Sequence, residues 1–124
     1  MTKKILIADD EPNIVMSLEF LMEQSGYEVA IARDGEEALR QMALFAPDLV
    51  LLDVMMPLRN GYEVCQSIRE NAAWDRVKIV MLSAKGRDLE VSQGLALGAD
   101  AYVTKPFSTK ALIAQVQELL AEGA

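Results

Sequence analysis

Five short apolar runs alternate along the chain with segments whose apolar residues recur at helical spacing. The runs are KKILIA, YEVAIA, DLVLLD, VKIVML and AYVT. Most of them are continuously apolar, which is typical of strands buried on both faces of a parallel sheet. The pattern therefore predicts an α/β fold in which five strands are separated by helices that cover both faces of the sheet.

Residues that start or stop helices border most of the helical segments. Proline is favoured at a helix start and glycine just beyond a helix end, while aspartate is a good N-cap. The predicted boundaries are Pro12 to Gly26 for the first helix, Asp34 to Pro47 for the second, a start at Asn60-Gly61 for the third, and a start at Ser108 for the last.

The predicted fourth helix, GRDLEVSQGLALG, has a thin apolar stripe. Its members are Leu89, Val91, Leu95 and Leu97. Gly94 lies inside this helix, and an interior glycine costs about 1 kcal/mol relative to alanine. The pattern indicates a locally weak element, and two interpretations stay open: a loosely packed surface helix or a movable one.

The handedness of parallel crossovers restricts such a chain to a doubly wound open sheet. In these sheets ligands bind beyond the carboxyl ends of the strands, close to the point where the strand order reverses. We therefore expect the functional residues to follow the strands.

Length and composition predict one cytoplasmic domain. The chain has 124 residues, enough for one independent core. Its single cysteine, Cys65, excludes an internal disulfide and suits a reducing compartment. The sequence shows neither an apolar run long enough to span a bilayer nor a signal segment at the N-terminus.

The charged residues narrow the chemistry further. A formal net charge of −7 argues against a nucleic-acid partner, because neutralising phosphates needs clustered lysines and arginines. The absence of histidine removes histidine acid-base catalysis and histidine metal sites. Carboxylate and carbonyl oxygens remain as metal ligands, and these suit Mg²⁺ or a similar ion.

Polar residues follow four of the five predicted strands. Because parallel strands end at the same edge of a sheet, we expect these residues to converge. They are Asp9-Asp10-Glu11 after the first strand, Asp53 at the end of the third, Ser83 after the fourth, and Lys105-Pro106 after the fifth. Arg33-Asp34 follows the second strand and fits the start of a helix better.

Converging carboxylates repel one another unless a cation intervenes, and Mg²⁺ meets that need. The natural partner of such a site is a phosphoryl group, with Lys105 and Ser83 at its oxygens. Asp53 lies between the other groups in sheet order, which makes it the best-placed nucleophile. Each residue alone has a plainer interpretation, such as Asp10 capping the first helix, but their shared position favours a site.

Four blocks of the chain, ILIADDEP, DLVLLDVMMPLRNGYE, IVMLSA and GADAYVTKPF, together resemble the receiver domain of two-component response regulators. The resemblance covers essentially the whole chain and implies a CheY-like, flavodoxin-like fold with strand order 2-1-3-4-5 and five helices. It also implies a signalling switch rather than an enzyme. The phosphoryl donor would be a histidine kinase or a histidine phosphotransfer protein.

The same resemblance implies a role for each acidic residue. Asp53 would be the phosphoacceptor. Asp10 and Asp53 would bind Mg²⁺ through their carboxylates and Met55 through its backbone carbonyl, with Asp9 acting through bound water. Mn²⁺ is a possible substitute for Mg²⁺.

The remaining implied residues connect the site to a signalling surface. Ser83 and Lys105 would contact the phosphoryl oxygens, and the Lys105-Pro106 peptide bond would be cis. Tyr102 would be a switch residue that turns inward as Ser83 moves toward the phosphoryl group. The responding surface would consist of the fourth helix, the fifth strand and the fifth helix, and it would face an output domain or a downstream protein.

Met55 and Lys85 would flank the path of the water that hydrolyses the acyl phosphate. A methionine has no strong polar group with which to position that water. We therefore expect a longer-lived phosphorylated state than asparagine would allow at position 55.

Three positions depart from receiver domains attached to winged-helix transcription factors. Ala101, Ala111 and Gln115 stand where charged residues that support a dimer are expected in that subfamily. We therefore expect a monomer or a weak dimer. The chain reads as a single receiver domain over residues 1–124 without an output domain, either free-standing or part of a longer protein.

Three other classes of protein share part of this pattern. A receiver-like adaptor that is not phosphorylated would be favoured by loss of Asp53, Asp10 or Lys105, and all three are present. An aspartyl-phosphate phosphohydrolase would need a second aspartate where Met55 stands. A flavodoxin would need a Ser/Thr/Gly-rich phosphate loop where this chain has Asp9-Asp10-Glu11.

Overall fold

The computed structural model describes residues 2–58, 60–83, 98–105 and 107–122. The five strands form one parallel sheet in the order β2-β1-β3-β4-β5, as the resemblance implied. The strands are β1 (Lys4–Ala8), β2 (Glu28–Ala32), β3 (Leu49–Asp53), β4 (Lys78–Ser83) and β5 (Ala101–Thr104).

Four α-helices lie within the described residues, together with a short 3₁₀ helix at Ala72–Trp74. They are α1 (Pro12–Gln24), α2 (Gly35–Phe45), α3 (Gly61–Glu70) and α4 (Thr109–Glu122). Helix α4 is the fifth helix of the sequence prediction. The predicted fourth helix, with Gly94 in its interior, lies in residues 84–97 except for its last residue, Gly98, and so falls outside the described residues.

The helices bury the sheet on both faces, which explains the continuously apolar strands. Helices α1 and α4 pack on one face, where Leu18 and Val116 contact strand residues such as Leu51. Helices α2 and α3 pack on the other, where Met42 and Ile68 join a second cluster. All five residues of β3 are buried, because this strand lies at the centre of the sheet.

Helices α1 and α2 differ in how their starts are capped. Asp34 caps α2 by accepting from the Glu37 N–H at 2.8 Å, as predicted. Helix α1 begins at Pro12, but its N-cap residue is Glu11, whose side chain makes no capping bond. The interpretation of Asp10 as the cap of α1 is therefore wrong. Its carboxylate remains available as the metal ligand that the resemblance implies.

An arginine of α3 ties that helix to the start of β5. The Arg69 guanidinium donates to the Gly98 carbonyl at 2.8 Å and to the Asp100 carboxylate at 2.8 Å. The same Asp100 oxygen accepts from the Ile79 N–H. This small network joins α3, β4 and β5, so it helps to place the edge strand that leads to the polar rim.

Two further observations bear on the sequence predictions. Cys65 is buried on α3, and burial raises the pKa of its thiol, as expected for a structural cysteine. Among the described helices, none has the length and apolar character that crossing a bilayer requires.

Candidate functional site

Polar side chains from three different strand ends meet at the carboxyl edge of the sheet. The Lys105 ammonium lies 3.0 Å from an Asp9 carboxylate oxygen and 3.3 Å from an Asp53 oxygen. Asp9 follows β1, Asp53 ends β3 and Lys105 follows β5. The convergence expected from a parallel sheet is therefore observed.

Asp9 is fully buried, and its carboxylate accepts two hydrogen bonds. One carboxylate oxygen accepts from the Glu11 N–H at 2.9 Å, and the other accepts from Lys105. The Asp9 N–H donates to the Ala32 carbonyl of β2 at 3.0 Å. These contacts hold the Asp9 side chain in place at the floor of the site.

Asp53 lies in an environment that disfavours its ionised form. Burial, together with the negative charge of Asp9, raises the pKa of Asp53 from 3.8 to about 6, although Lys105 acts against the rise. Burial alone would lower the pKa of Lys105, but its bonds and charge interactions with Asp9 and Asp53 outweigh that effect and raise it. The Lys105 ammonium is thus shared by the carboxylates of Asp9 and Asp53.

The carboxylates could hold a divalent metal ion. Single oxygens of Asp9, Asp10 and Asp53 lie within 4.8 Å of one another, and Asp10 is exposed whereas the other two are buried. Three carboxylates with a water-accessible side are a donor set that suits Mg²⁺, which prefers oxygen ligands and keeps several waters. The residues present therefore fit the ion that the sequence predicted.

Ser83 lies at the same edge, at the end of β4. Its side chain is buried, and its backbone carbonyl accepts a hydrogen bond from the Lys105 N–H. Asp53 pairs with Leu82 in the sheet register, so Ser83 lies one residue beyond the level of Asp53. The structure thus places Ser83 between the strands that carry Asp53 and Lys105.

Tyr102 of β5 packs against the cluster formed with α2 and α3. Its hydroxyl is buried and has no hydrogen-bond partner within the described part of the chain. An unpaired buried hydroxyl costs about 1–3 kcal/mol. Another arrangement of its neighbours could therefore offer the Tyr102 hydroxyl a partner.

Sequence reasoning missed the role of Gly61. A Cβ atom at Gly61 would lie 2.3 Å from the Asp53 carbonyl oxygen and 2.8 Å from the Val54 Cα. Helix α3 therefore begins directly against the backbone of the central aspartate. The available signal was the capping box, in which Asn60 and Glu63 bond each other's backbone N–H groups.

Of the remaining predicted site residues, Met55 is described by the structure, whereas Lys85 and Pro106 are not. Met55 is 75% exposed beside the site, and its N–H makes a long hydrogen bond of 3.4 Å to Asp53. Lys85 and Pro106 lie outside the described residues, so the predicted tuning role of Lys85 and the cis Lys105-Pro106 bond stay predictions.

The raised pKa of Asp53 predicts that the Asp53→Asn variant is more stable than the wild type in EDTA. Because the folded protein disfavours ionised Asp53, stability falls as the pH rises from about 4 through about 6. At neutral pH we expect the variant to gain about 2 kcal/mol, less than the full shift implies because asparagine binds Lys105 more weakly. Urea unfolding at several pH values measures this gain.

The exposed Asp75, at the end of the 3₁₀ helix, offers a matched control. Asp75→Asn should change stability by no more than about 0.5 kcal/mol at any pH. An Asp53→Asn gain that persists unchanged at about pH 4 would contradict the assignment of the effect to the carboxylate charge.

A family model described as the response regulator receiver domain matches residues 5–117. Among curated proteins, the chain is 47% identical over 120 residues to the alkaline phosphatase synthesis transcriptional regulatory protein PhoP of Bacillus subtilis. That match covers 97% of this chain and 49% of PhoP, so the chain spans about half the length of this relative.

Solved structures show the same architecture. The receiver domain of the Francisella response regulator 1452 superposes with a TM-score of 0.92 at 31% identity, covering 99% of this chain and 100% of that one. The chemotaxis response regulator CheY4 of Vibrio cholerae superposes with a TM-score of 0.90 at 29% identity, covering 96% and 99%. The doubly wound fold expected from the strand pattern is confirmed.

Proposed function

This chain belongs to the family of response regulator receiver domains, and we propose that Asp53 is the residue on which it accepts a phosphoryl group. The domain is a signalling module of a two-component system. Its phosphoryl donor would be a histidine kinase or a histidine phosphotransfer protein. Residues 1–124 would act as one receiver unit.

The observation that carries the proposal is the shared contact of Lys105 with Asp9 and Asp53. Asp53 is held between a carboxylate that repels negative charge and an ammonium that attracts it. A phosphoryl group arriving at Asp53 brings oxygens to which Lys105 can transfer its bonds. The site is therefore electrostatically prepared for an anion once its carboxylates are neutralised.

Asp10 and Asp53 would hold Mg²⁺, or Mn²⁺ in its place, through their carboxylates and Met55 through its backbone carbonyl. Asp9, whose oxygens are bonded to Glu11 and Lys105, would act through a bound water. The ion would offset the negative charge that accumulates between the carboxylates and the phosphoryl oxygens.

The transfer itself exchanges one bond to phosphorus for another. A carboxylate oxygen of Asp53 forms the new P–O bond while the P–N bond to the donor histidine breaks, and the electron pair of that bond returns to the imidazole ring. Lys105 and the Ser83 hydroxyl would bind the transferred oxygens. No residue of this chain has to take up a proton, which fits a domain without histidine.

The described rim of the site offers apolar contacts to a protein donor. Met16 and Phe20 of α1 are 68% and 59% exposed, and Met55 and Leu58 follow β3 with 75% of each exposed. Helix α1 starts three residues after Asp9, so its first turn lies beside the acidic groups, and Met16 and Phe20 follow one and two turns further along the helix. A donor that carries its phosphohistidine to Asp53 would cover part of this surface.

Tyr102 and Ser83 would couple phosphorylation to the signalling surface. Drawing Ser83 toward a phosphoryl oxygen would open room for Tyr102, whose hydroxyl lacks a partner in the described arrangement. A new hydrogen bond of that hydroxyl in the second arrangement would supply a preference of about 1–3 kcal/mol, enough to shift a two-state population. The surface of β5, α4 and the predicted fourth helix would then act on an output domain or a downstream protein.

Incubation with acetyl phosphate and Mg²⁺, followed by intact-mass measurement, tests the proposal. We expect the wild type to gain one phosphoryl group and the Asp53→Asn variant to gain none, because only the carboxylate is a nucleophile. Asp75→Asn should be phosphorylated like the wild type. Failure of the wild type with both Mg²⁺ and Mn²⁺ would favour the adaptor that is not phosphorylated.

The exposed side chain of Met55 predicts a slow loss of the phosphoryl group. Asparagine at this position would offer an amide to orient the attacking water, so Met55→Asn should shorten the lifetime of the acyl phosphate roughly tenfold, less than a general acid or base achieves because the amide moves no proton. The decay of phosphorylated protein after removal of acetyl phosphate measures this. Equal lifetimes would count against the role of Met55.

A further inference from the structure

A cavity of about 210 Å³ opens at the edge of the sheet opposite the acidic site. It lies where β1, β3 and β4 begin and where α4 ends. Its lining consists of Lys3, Asp48, Arg76, Lys78, Leu119 and Leu120. Four of these six side chains are charged, so the cavity is polar rather than a gap between apolar side chains.

The cavity carries an excess of positive charge in a protein whose net charge is −7. Lys3, Arg76 and Lys78 provide three cations against the single carboxylate of Asp48. Asp48 also accepts a hydrogen bond of 2.8 Å from the Lys4 N–H, so part of its charge is already satisfied. The local balance is therefore opposite to that of the whole chain.

Within the part of the chain that the structure describes, none of the three cations takes part in an ion pair or a side-chain hydrogen bond. Like charges around one concavity repel one another, and a bound anion would relieve that repulsion. This distinguishes the cavity from the acidic site, where Lys105 is already held by two carboxylates.

The shape of the cavity restricts the ligand. Leu119 and Leu120 are buried in its wall, and an apolar wall beside clustered charges concentrates the electrostatic potential. The volume is below the roughly 300–1,000 Å³ typical of clefts for organic ligands. Arg76 brings a planar guanidinium that can bind two oxygens at once, the geometry that phosphate groups offer.

We propose that this cavity is a second, basic binding site of the domain, which takes a small multiply charged oxyanion of the phosphate class. The anion would join the starts of β1 and β4 to the end of α4. Its site is separated from Asp53 by the length of the sheet, about 17 Å for a strand of five residues. Binding there therefore needs neither a metal ion nor phosphorylation.

Titration with inorganic pyrophosphate in the presence of EDTA, followed by amide chemical shifts, tests this proposal. We expect saturable shifts at residues 76–79 and 118–121 and none around Lys105. The double variant Arg76→Gln/Lys78→Gln should bind at least tenfold more weakly, while Asp53→Asn should bind like the wild type. Arg40→Gln, an exposed arginine of α2, is the matched control and should leave binding unchanged.

Three results would overturn the proposal: no saturable shift at the cavity, shifts centred on Lys105, or equal affinity in the double variant and the wild type. Circular dichroism first establishes that each variant is folded. If the double variant is unfolded, the same titration is made with the variant Lys3→Gln. Lys3 lies directly before β1. This variant should weaken pyrophosphate binding roughly threefold, and an unchanged affinity would then refute the site.

Discussion

Replacing Lys105 with methionine should destabilise the metal-free protein by about 3–5 kcal/mol at neutral pH. Methionine keeps most of the volume of the lysine stem but removes the ammonium. Asp9 is 0% exposed and Asp53 5%, so both carboxylates would lose their common cation in a place that water hardly reaches. The loss comes from two buried charges left without compensation.

The pH dependence of this loss follows from the same charges. Without Lys105 the pKa of Asp53 would rise beyond its present value of about 6, because burial and the repulsion by Asp9 would then be opposed only by the Met55 N–H bond. At about pH 5 Asp53 would then carry a proton in the folded variant, so the difference from the wild type should shrink. A divalent cation should reduce the difference as well, because it replaces the missing charge.

Urea unfolding of wild type and Lys105→Met, in EDTA and in Mg²⁺, measures both effects. Lys110→Met is the matched control, because Lys110 is exposed on α4 and makes no ion pair within the described residues. It should change stability by no more than about 0.5 kcal/mol. If Lys105→Met and Lys110→Met were equally mild in EDTA, Lys105 would not be the group that holds the two carboxylates together.

The sheet and the residues at its edge could be predicted because they follow from simple rules. Continuous apolar runs mean buried parallel strands, and parallel strands end together. Asp9, Asp53 and Lys105 therefore had to approach one another once the strand assignments were right. Their distances of 3.0 and 3.3 Å confirm this expectation.

Contacts that depend on exact backbone geometry could not be predicted in this way. The plainer interpretation of Asp10, as the cap of α1, is wrong because the chain turns so that Glu11 takes that position. The hydrogen bonds from Arg69 to Gly98 and Asp100 join residues about thirty positions apart, and no local sequence pattern predicts them. The basic cavity likewise gathers residues that are scattered along the chain.

The arrangement of the acidic site lowers the stability of the unliganded protein and at the same time favours the binding of its ligands. Burial of Asp53 beside Asp9 weakens the folded protein at neutral pH, as the raised pKa of Asp53 indicates. The same arrangement favours any event that brings positive charge or removes negative charge. Binding of a divalent cation should therefore stabilise the domain, and the site gains sensitivity to its ligands at the expense of resting stability.

Gly61 provides the sharpest test of how α3 supports the site, because Gly61→Ala should cost about 3 kcal/mol or more of stability. The added methyl group would lie 2.3 Å from the Asp53 carbonyl oxygen and 2.9 Å from the carbonyl carbon. Both are backbone atoms of the central strand, so the clash cannot be relieved by turning a side chain. The Gly61 N–H also donates to the Val54 carbonyl at 2.8 Å, a bond that a shift of α3 would break.

The same substitution should lower the rate of phosphorylation by acetyl phosphate at least tenfold, since a displaced Asp53 backbone moves the carboxylate away from Lys105. Gly26→Ala is the control. Gly26 has a φ of +93° but nothing within 4 Å of an added Cβ, so its replacement costs only backbone strain of about 1 kcal/mol and leaves phosphorylation unchanged. Equal stability losses in the two variants, with phosphorylation intact in both, would show that α3 can move away from β3 without disturbing Asp53.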